Sequence, residues 1–209
     1  MAQANYPHGA SSATSRGGEM LEAVAREARA CTLCAVHLPC PPRPVFRVSA
    51  TARLLVIGQA PGARVQASGI PWDDASGARL RGWLGLDAAT FYDATRIAIV
   101  PMGFCYPGTL AGGGDAPPRP ECAPLWHPRL IPLMPEIRLT LLVGSHAVAA
   151  RLGRGPMAAR VAAWRDRLPA LFPLPHPSWR TIGWERRNPW FPGEALPALR
   201  TLVEKAIST

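Results

Sequence analysis

The sequence predicts a three-layer α/β/α domain built on a central, mainly parallel sheet of four strands. Four short apolar runs alternate along the chain with segments whose apolar residues recur at helical spacing, which is typical of this class. The runs lack the polar alternation of half-exposed strands, so we expect both faces of the sheet to be covered. With 209 residues, 48% of them hydrophobic, the chain is long enough to bury such a core in one domain.

The domain is expected to span residues 19–209, after a flexible N-terminal tail at residues 1–18. That tail is polar and contains no apolar run of signal-peptide length, so a cytoplasmic protein is expected. The other apolar runs are strand-length and are interrupted by proline or charge, which argues against a membrane span. The first helix is predicted over Glu19–Arg29, where the apolar residues share one face.

The remaining elements follow in order along the chain. Buried strands are predicted at Arg53–Gly58, Arg96–Met102, Leu139–Gly144 and within Leu168–Trp179. Helices are predicted from Ser76, from Trp126, from Ser145, and over Met157–Asp166 and Gly193–Ile207. Ser76 is the expected N-cap of its helix, and Pro132 should break the short helix that begins at Trp126. Residues 37–52 are rich in proline and should be extended.

Four unusual loops each come directly after a predicted strand. They are GQAPG, PMGFC, VGSHA and PLPHPSW, which begin at Gly58, Pro101, Val143 and Pro173. Because parallel strands end at the same edge of a sheet, we expect these loops to meet there. Ligands of open α/β sheets bind at this edge, so the sequence predicts one site formed by all four loops.

The charge of the chain favours a polyanionic partner. The formal net charge is +9 and the calculated pI is about 10.3, with arginine far outnumbering lysine. Nucleic acids attract such a protein because each phosphate contact releases condensed counterions. An arginine-rich composition is also common in proteins from high-GC genomes, so charge alone does not decide between a nucleic-acid-binding protein and any other class.

The five cysteines are spaced in a way that suggests metal binding. Cys31 and Cys34 form a CxxC pair, and Cys105 and Cys122 bracket a loop rich in proline and glycine. Without an export signal a disulfide set is not expected. Four thiolates suit either tetrahedral zinc or a 4Fe-4S cluster, and four unlinked buried thiols are the remaining alternative. Cys40, between prolines, is the cysteine left over.

The GQAPG loop fits neither of the common phosphate-binding motifs. A dinucleotide fold requires GxGxxG, and a P-loop requires a GK pair that occurs nowhere in the chain. Gly58 and Gly62 still permit a tight turn whose amides face a ligand, although a plain turn after a strand is the simpler interpretation. In PWDDASG, Trp72 is either a stacking platform or a core residue, and Asp73 and Asp74 either orient a water or cap the following helix.

His176 in PHPSW is held between two prolines in a narrow range of conformations. Such restriction is useful if the imidazole must meet a developing negative charge, and a surface loop with a structural histidine is the alternative. The segment that follows, WRTIGWERRNPWF from Trp179, carries aromatic residues and arginines. This composition suits a loop that wedges into and clamps a nucleic-acid strand.

Taken in order, these motifs resemble the uracil-DNA glycosylase superfamily, and specifically its iron–sulfur branches. Those enzymes carry an N-terminal CxxC, a GExPG or GLAPA loop, a GxPF segment, a second cysteine pair and an HPS-type loop. Here the corresponding residues are CTLC, GQAPG, GIPWDDASG, Cys105 with Cys122, and PHPSW, from Cys31 towards the C-terminus. The resemblance implies a monofunctional, monomeric DNA-repair enzyme that flips uracil or a related deaminated base out of DNA and hydrolyses its N-glycosidic bond.

The resemblance also implies roles for individual residues. His176 would hydrogen-bond the uracil O2 and stabilise the departing anion, and Trp72 would stack on the base in place of a phenylalanine. Asp74 would help to activate water, with Asp73 as its rival and Gln59 on the water side of the pocket. Further substrate contacts would come from Gly58, Ala60, Pro61, Gly62, Ser178, Arg180 and Arg187. A structural 4Fe-4S cluster, or alternatively zinc, would be held by Cys31, Cys34, Cys105 and Cys122.

Departures from the family pattern mark a divergent subgroup. Gln59 and Ala60 leave the first loop without a carboxylate, and Pro101 stands where some members place an asparagine that reads the amide edge of uracil. Recognition of the base would then pass to backbone groups or to another side chain such as Asp115. Two other functions stay open: a cluster-bearing nucleic-acid-binding protein without activity, and an enzyme acting on a free nucleobase or nucleotide.

Overall fold

The computed structural model of the protein describes residues 10–208, with side chains from residue 16 onward. Its centre is a four-stranded sheet in the order β2-β1-β3-β4, and every pair of neighbouring strands is parallel. The strands are β1 (Leu54–Ile57), β2 (Ile97–Ile99), β3 (Leu139–Val143) and β4 (Leu171–Leu174). Leu54 pairs with Ile97 on one side and with Leu139 on the other, which makes β1 a central strand.

Helices connect the strands and surround the sheet. They are α1 (Ala10–Arg29), α2 (Ala63–Ser68), α3 (Ala75–Leu84), α4 (Ala88–Phe91), α5 (Cys122–Leu130), α6 (Ser145–Leu152), α7 (Met157–Ala162), α8 (Ile182–Arg187) and α9 (Leu196–Ile207). Across residues 10–208, none of these helices combines the length and the apolar character that crossing a membrane requires.

Two hydrophobic cores cover the two faces of the sheet. Alternate residues of β1 divide between them: Leu54 and Val56 join one core, whereas Leu55 and Ile57 join the other. The first core includes side chains from α3, α4, α7 and α9, and the second includes side chains from α1, α5 and α6. The predicted three-layer α/β/α class with a parallel four-stranded sheet is therefore confirmed.

Four helix starts differ from the prediction: α5 begins at Cys122 rather than Trp126, α9 begins at Leu196 rather than Gly193, and α1 and α3 differ as follows. Helix α1 begins at Ala10 rather than Glu19, because residues 10–18 contain alanine and serine but no apolar stripe from which a helical period could be read. Residues 10–18 of the predicted tail are thus helical, and residues 1–9 lie outside the described part of the chain. Helix α3 is capped by Asp74 rather than Ser76, since the Asp74 carboxylate accepts a hydrogen bond of 2.7 Å from the Gly77 amide.

The segment after His176 was predicted as a loop and is largely helical. A 3₁₀ turn at Trp179–Thr181 leads directly into α8. Trp184 lies in this short helix and packs against aromatic residues that follow it in the chain. Its ring contacts those of Trp190 and Phe191 edge-on, with centroid distances of 5.8 and 5.2 Å. This aromatic packing is a tertiary effect, which no local pattern in WRTIGWERR reveals.

Backbone hydrogen bonds join the loops at the carboxyl ends of the strands. The Met102 amide donates to the Gly58 carbonyl, and the Gly103 amide donates to the Gln59 carbonyl, both at 2.9 Å. On the other side of β1, the Gly144 amide donates to the Leu174 carbonyl at 2.9 Å. The loops after β1 and β2 are therefore fixed to each other, and the loop after β3 is fixed to the end of β4, which favours a preorganised site.

Candidate active site

A cavity of about 70 Å³ opens at the carboxyl ends of the strands. The predicted site residues among its lining are Gly58, Gln59, Ala60, Pro61, Gly62, Trp72, Asp74 and His176. Pro101 and Asp115, which the sequence also singled out, line it as well. Lining residues that sequence reasoning missed are Val45, Val65, Pro71, Ser76 and Ile99. Most of these are apolar, and no local signal separates them from ordinary core residues.

Trp72 forms an aromatic wall of this cavity next to His176. The two rings lie 5.9 Å apart between centroids and are tilted by 31°. Gly58 makes the arrangement possible, because a Cβ atom at that position would lie 2.8 Å from Cζ2 of the indole. Trp72 itself has a φ of 59°, a left-handed conformation that is rare for a bulky residue. A strained backbone at a cavity wall is typical of a functional position.

Gly77 holds this tryptophan turn in place, and its substitution gives the first prediction. A Cβ at Gly77 would lie 1.7 Å from the Trp72 carbonyl oxygen, so Gly77→Ala must displace the turn. We expect a loss of about 1–3 kcal/mol or more in the free energy of unfolding, measured by urea denaturation. Gly82→Ala is the matched control on α3, because nothing lies within 4 Å of its Cβ position. Gly82→Ala should raise the free energy of unfolding by about 1 kcal/mol. Equal free energies of unfolding for the two variants would contradict a close contact between Gly77 and Trp72.

The structure separates the two neighbouring aspartates. Asp74 lines the cavity and also caps α3 through its hydrogen bond to the Gly77 amide, so the cap does not remove it from the cavity. Asp73 does not line the cavity. Its side chain is 37% exposed and lies 3.9 Å from the guanidinium of Arg64. Of the pair, only Asp74 is therefore placed to act on a ligand in this cavity.

His176 is held rigidly by its own loop. Its carbonyl oxygen accepts hydrogen bonds from the Ser178 amide at 2.8 Å and from the Thr181 hydroxyl at 2.9 Å. Burial lowers the pKa of the imidazole below its ordinary value, and the charge of Asp74 opposes this shift. The neutral ring is thereby favoured, and a neutral imidazole can donate one N–H to an anion without carrying a buried charge.

The other predicted contacts on this loop lie outside the cavity. Ser178 uses its carbonyl oxygen to accept a hydrogen bond from Arg79, whose guanidinium also pairs with Glu185 on α8. Arg180 and Arg187 are exposed and do not line the cavity. Trp179, next to Arg180, is 75% exposed, which is unusual for so large an apolar side chain. We call the exposed residues Trp179, Arg180 and Arg187 the rim, because their segment follows the cavity residue His176 along the chain.

Pro101 is supported by a buried histidine that the sequence did not single out. His127 on α5 is 8% exposed, and its Nε2 donates to the Pro101 carbonyl oxygen at 2.9 Å. Burial lowers the pKa of this imidazole, so the neutral donor form is favoured. A lone histidine on a helix carries no signal that distinguishes this role from a surface position. In the neighbouring loop after β1, the Gln59 side-chain amide donates to the Ala116 carbonyl oxygen at 3.4 Å.

A second, apolar cavity of about 20 Å³ is lined by all four predicted cysteine ligands. Cys31 and Cys34 follow α1, Cys105 follows the loop of β2, and Cys122 begins α5. Cys40 does not line this cavity, as predicted for the cysteine left over. All five cysteines are free thiols.

The environment of Cys105 and Cys122 favours the neutral thiol over the charged thiolate. Burial, with a smaller contribution from the neighbouring cysteines, raises the pKa of Cys105 to about 11 and that of Cys122 to about 12. Across residues 16–208, no group of three or more His, Cys, Asp or Glu side chains is arranged to hold a metal ion. The cavity therefore gathers four thiols in one place.

The fold and the first cavity define an α/β protein with its ligand site at the carboxyl edge of a parallel sheet. A family model described as the Uracil DNA glycosylase superfamily matches residues 46–200, which is most of the chain. The protein belongs to the uracil-DNA glycosylase superfamily, and the resemblance read from the motifs is confirmed at this level. Membership supports a glycosylase type of function in DNA repair.

Proposed function

We propose that the protein is a monofunctional DNA glycosylase that removes uracil or a related deaminated base and leaves an abasic site. The observation that carries this proposal is the convergence of Asp74, Trp72 and His176 on one cavity within the family domain. A carboxylate can stabilise a cationic sugar, an aromatic ring can stack on a flipped base, and an imidazole can donate to a departing anion, which suits hydrolysis of an N-glycosidic bond. The enzyme is proposed to act as a monomer, as the resemblance to the family implies.

The reaction creates a negative charge on the base and a positive charge on the sugar. His176 stabilises the first charge and Asp74 stabilises the second. As the bond from C1′ to the base nitrogen breaks, its electron pair leaves with the base, and the sugar becomes an oxocarbenium ion. His176 donates a hydrogen bond to the oxygen of the departing anion. Asp74 faces the cationic sugar and accepts the proton of the water that attacks C1′. The products are the free base and the abasic sugar.

The walls of the cavity suit a planar base. Trp72 offers an aromatic face, and stacking of a base on such a face contributes about 1–3 kcal/mol. The Gly58–Gly62 loop presents its backbone on the same cavity, where the absence of side chains at the two glycines permits close approach. A flipped base could thus be held by stacking and by backbone contacts before any side chain reads its identity.

DNA is the expected partner of the rim. The net charge of +9 favours binding to the phosphate backbone, and the exposed Arg180 and Arg187 lie on the segment after His176. Trp179, which is 75% exposed, and Ile182, which is 43% exposed, are apolar groups on the same segment. Side chains of this kind insert between base pairs and stabilise a distorted duplex. The segment is proposed to fill the gap that a flipped base leaves.

Among residues 16–208, no amine lines the cavity, which favours a hydrolytic, monofunctional mechanism. Glycosylases that also cleave the strand would need an amine nucleophile to form a Schiff base. The only lysine of the chain is Lys205, on α9, and it does not line the cavity. The product is therefore proposed to be an intact strand with an abasic site.

We propose that Cys31, Cys34, Cys105 and Cys122 hold a 4Fe-4S cluster. Tetrahedral zinc requires four sulfur atoms at about 2.3 Å from one centre. In a cluster each iron binds its own thiolate, so the sulfur atoms can lie further apart around a larger cavity. The four thiols line one apolar cavity, which supports a shared metal site, and the resemblance of the CxxC and the second cysteine pair to the iron–sulfur branches favours the cluster over zinc. When bound, the cluster supplies a cross-link between the N-terminal segment and the loop that precedes α5.

Substitution of one cluster ligand gives a second prediction. Cys34→Ala, in the full chain purified without oxygen, should lose the broad visible absorbance and most of the bound iron. It should also lower the free energy of unfolding by more than the roughly 1 kcal/mol of an average substitution. Cys40→Ala is the matched control, because Cys40 lies outside the cavity. Wild-type protein that contains zinc and no iron would contradict the cluster.

The proposed function is tested by base excision from end-labelled oligonucleotides. Single- and double-stranded substrates carrying one uracil, hypoxanthine or xanthine are incubated with the cluster-loaded protein and then treated with alkali. Cleavage at the modified position, dependent on alkali, is the expected result. Tight DNA binding without cleavage of any substrate would instead support the alternative of an inactive nucleic-acid-binding protein. Turnover of free nucleosides alone would support an enzyme acting on small molecules.

A further inference from the structure

We propose that Arg79 is a positioning residue that anchors the segment entering duplex DNA, an inference that rests on the proposed glycosylase function. We call residues 178–187, which follow His176, the insertion segment. This segment carries Trp179 and Ile182, the exposed apolar side chains proposed to fill the gap that a flipped base leaves. Arg79 lies on α3, 99 positions before Ser178 in the chain, and does not line the cavity.

The guanidinium of Arg79 contacts the insertion segment at two places. Its Nη1 donates a hydrogen bond to the carbonyl oxygen of Ser178, where the segment begins. Its Nη2 donates to Oε1 of Glu185 on α8. Arginine suits such a bridge, because its donors are held in a rigid planar fork and can reach two acceptors at once. One side chain of α3 therefore holds both the first turn and the helix of the segment.

This bridge is sheltered from solvent. The side chains of Arg79 and Glu185 are 22% and 18% exposed, and every other ion pair within residues 16–208 is more exposed on both sides. Water and salt therefore weaken this pair less than the others. The guanidinium also lies over the ring of Trp83, with Cζ 5.4 Å from the centroid, and Trp83 is a core residue.

The insertion segment depends on such an anchor because none of its own residues is fully buried. Trp184 packs partly against the core through Trp190 and Phe191, and this contact holds α8 from one side. The turn at Trp179 has no comparable packing, since its indole is 75% exposed. The position of this turn is therefore expected to depend on its polar contacts.

The same bridge connects the two halves of the proposed catalytic site. Asp74 is the N-cap of α3, so the position of its carboxylate follows that helix. The Ser178 carbonyl that accepts from Arg79 also accepts from the Thr181 hydroxyl, and the Ser178 amide donates to the carbonyl oxygen of His176. Movement of the insertion segment away from α3 would therefore also move His176 relative to Asp74.

Insertion into a duplex is the step at which this anchor acts. Opening a base stack costs free energy, and a segment that is already ordered loses less conformational freedom when it enters the stack. In single-stranded DNA the target base is already unpaired and is more easily exposed, so insertion matters less. Loss of Arg79 should therefore slow excision from a duplex more than excision from a single strand.

The test compares Arg79→Met with the wild type in single-turnover excision of uracil from matched single- and double-stranded oligonucleotides. Methionine can keep an apolar stem over Trp83 while removing all the donors of the guanidinium. The rate on the duplex should fall by about 10²-fold, the usual cost of a displacement of about 1 Å at a reacting centre. The loss on the single strand should be about tenfold smaller.

Arg200→Met is the matched control. Arg200, on α9, donates to the carbonyl oxygens of Gly82 and Trp83 at 3.0 and 3.2 Å, at the C-terminal end of α3. This variant also removes one positive charge and one link between α3 and another element, but it leaves the bridge to the insertion segment in place. The ratio of its duplex rate to its single-strand rate should equal that of the wild type.

Variants at Glu185 test the bridge from its other end. Glu185→Gln keeps an acceptor for Nη2 of Arg79, so its rates should stay near those of the wild type. Glu185→Met removes that acceptor and should show a duplex-selective loss. In combination with Arg79→Met it should add little, because both substitutions break the same contact. Fully additive losses would contradict a shared bridge.

The outcomes separate this inference from the proposed function. Equal losses of Arg79→Met on the two substrates would overturn the inference, because Arg79 would then serve only the fold or the cavity. Wild-type rates on both substrates would also overturn it and leave the glycosylase proposal intact. A wild-type protein that excises no base would contradict the proposed function, and this inference with it. Thermal unfolding verifies folding; if Arg79→Met is unfolded, Arg79→Lys, which keeps the charge without the fork, must show the duplex-selective loss.

Discussion

Replacing Asp74 by asparagine is expected to slow release of the base by about 10²- to 10⁴-fold, the usual contribution of a general base. The asparagine side chain can still accept the hydrogen bond from the Gly77 amide, so the N-cap of α3 should survive. What the variant lacks is the negative charge that stabilises the oxocarbenium ion and accepts the proton of water. The single-turnover rate on a uracil-containing oligonucleotide measures the effect, and the midpoint of thermal unfolding should stay near the wild-type value.

Asp74→Ala and Asp73→Asn separate the two roles of this aspartate. The alanine variant loses the cap as well as the charge, and should therefore also lose about 0.5–2 kcal/mol of stability. Asp73→Asn alters a residue outside the cavity that pairs with Arg64 and should leave the rate nearly unchanged. A slow Asp73→Asn together with a fully active Asp74→Asn would reverse the assignment.

The sheet could be predicted because its physical cause lies in the strands themselves. LLVI in β1 is buried at every position. A strand without polar residues is typical of a sheet whose two faces are both covered by helices. The helices were predicted less well at their ends. Residues 10–18 of α1 carry no apolar period, and α8 is packed by Trp190 and Phe191 from further along the chain. Such contacts are set by the tertiary structure and are absent from any local pattern.

The candidate site was predicted as a set of motifs but not in its internal geometry. Which of two adjacent aspartates reaches the cavity depends on the turn at Trp72, whose positive φ is not expected for tryptophan. The contact between Trp72 and Gly77 that fixes this turn is likewise a three-dimensional constraint. Asp115 was named only as one alternative, because its neighbours in space come from separate segments of the chain.

The cysteines illustrate the same limit. Their spacing predicted that Cys31 and Cys34 would act together, since a CxxC brings two thiols to one side of a turn. That Cys105 and Cys122 line the same cavity follows from the loop between β2 and α5, which folds back towards the end of α1. The identity of the metal depends on distances between sulfur atoms, which spacing along the chain does not encode.

Replacing His176 by alanine is expected to slow base release by about 10²- to 10³-fold, as removal of one preorganised donor to an oxyanion usually does. The ring is partly buried and its backbone is fixed by Ser178 and Thr181, so it needs little reorganisation to meet the charge that develops on the base. The loss should appear in the single-turnover rate at saturating enzyme, and binding of uncleaved DNA should change little. His146→Ala is the matched control, because this histidine follows β3 but does not line the cavity.

The pH dependence identifies the form of His176 that acts. Burial lowers its pKa, so the neutral imidazole persists as the pH falls below the range where an ordinary histidine becomes charged. If the neutral ring is the donor, the ratio of the wild-type rate to the His176→Ala rate should be constant from neutral pH down to that lowered pKa. His176→Gln keeps an N–H donor without a titratable ring, and should recover part of the rate with no change in pH dependence over this range. A ratio that instead grows steadily as the pH falls from 8 to 6 would show that the charged imidazolium stabilises the leaving base.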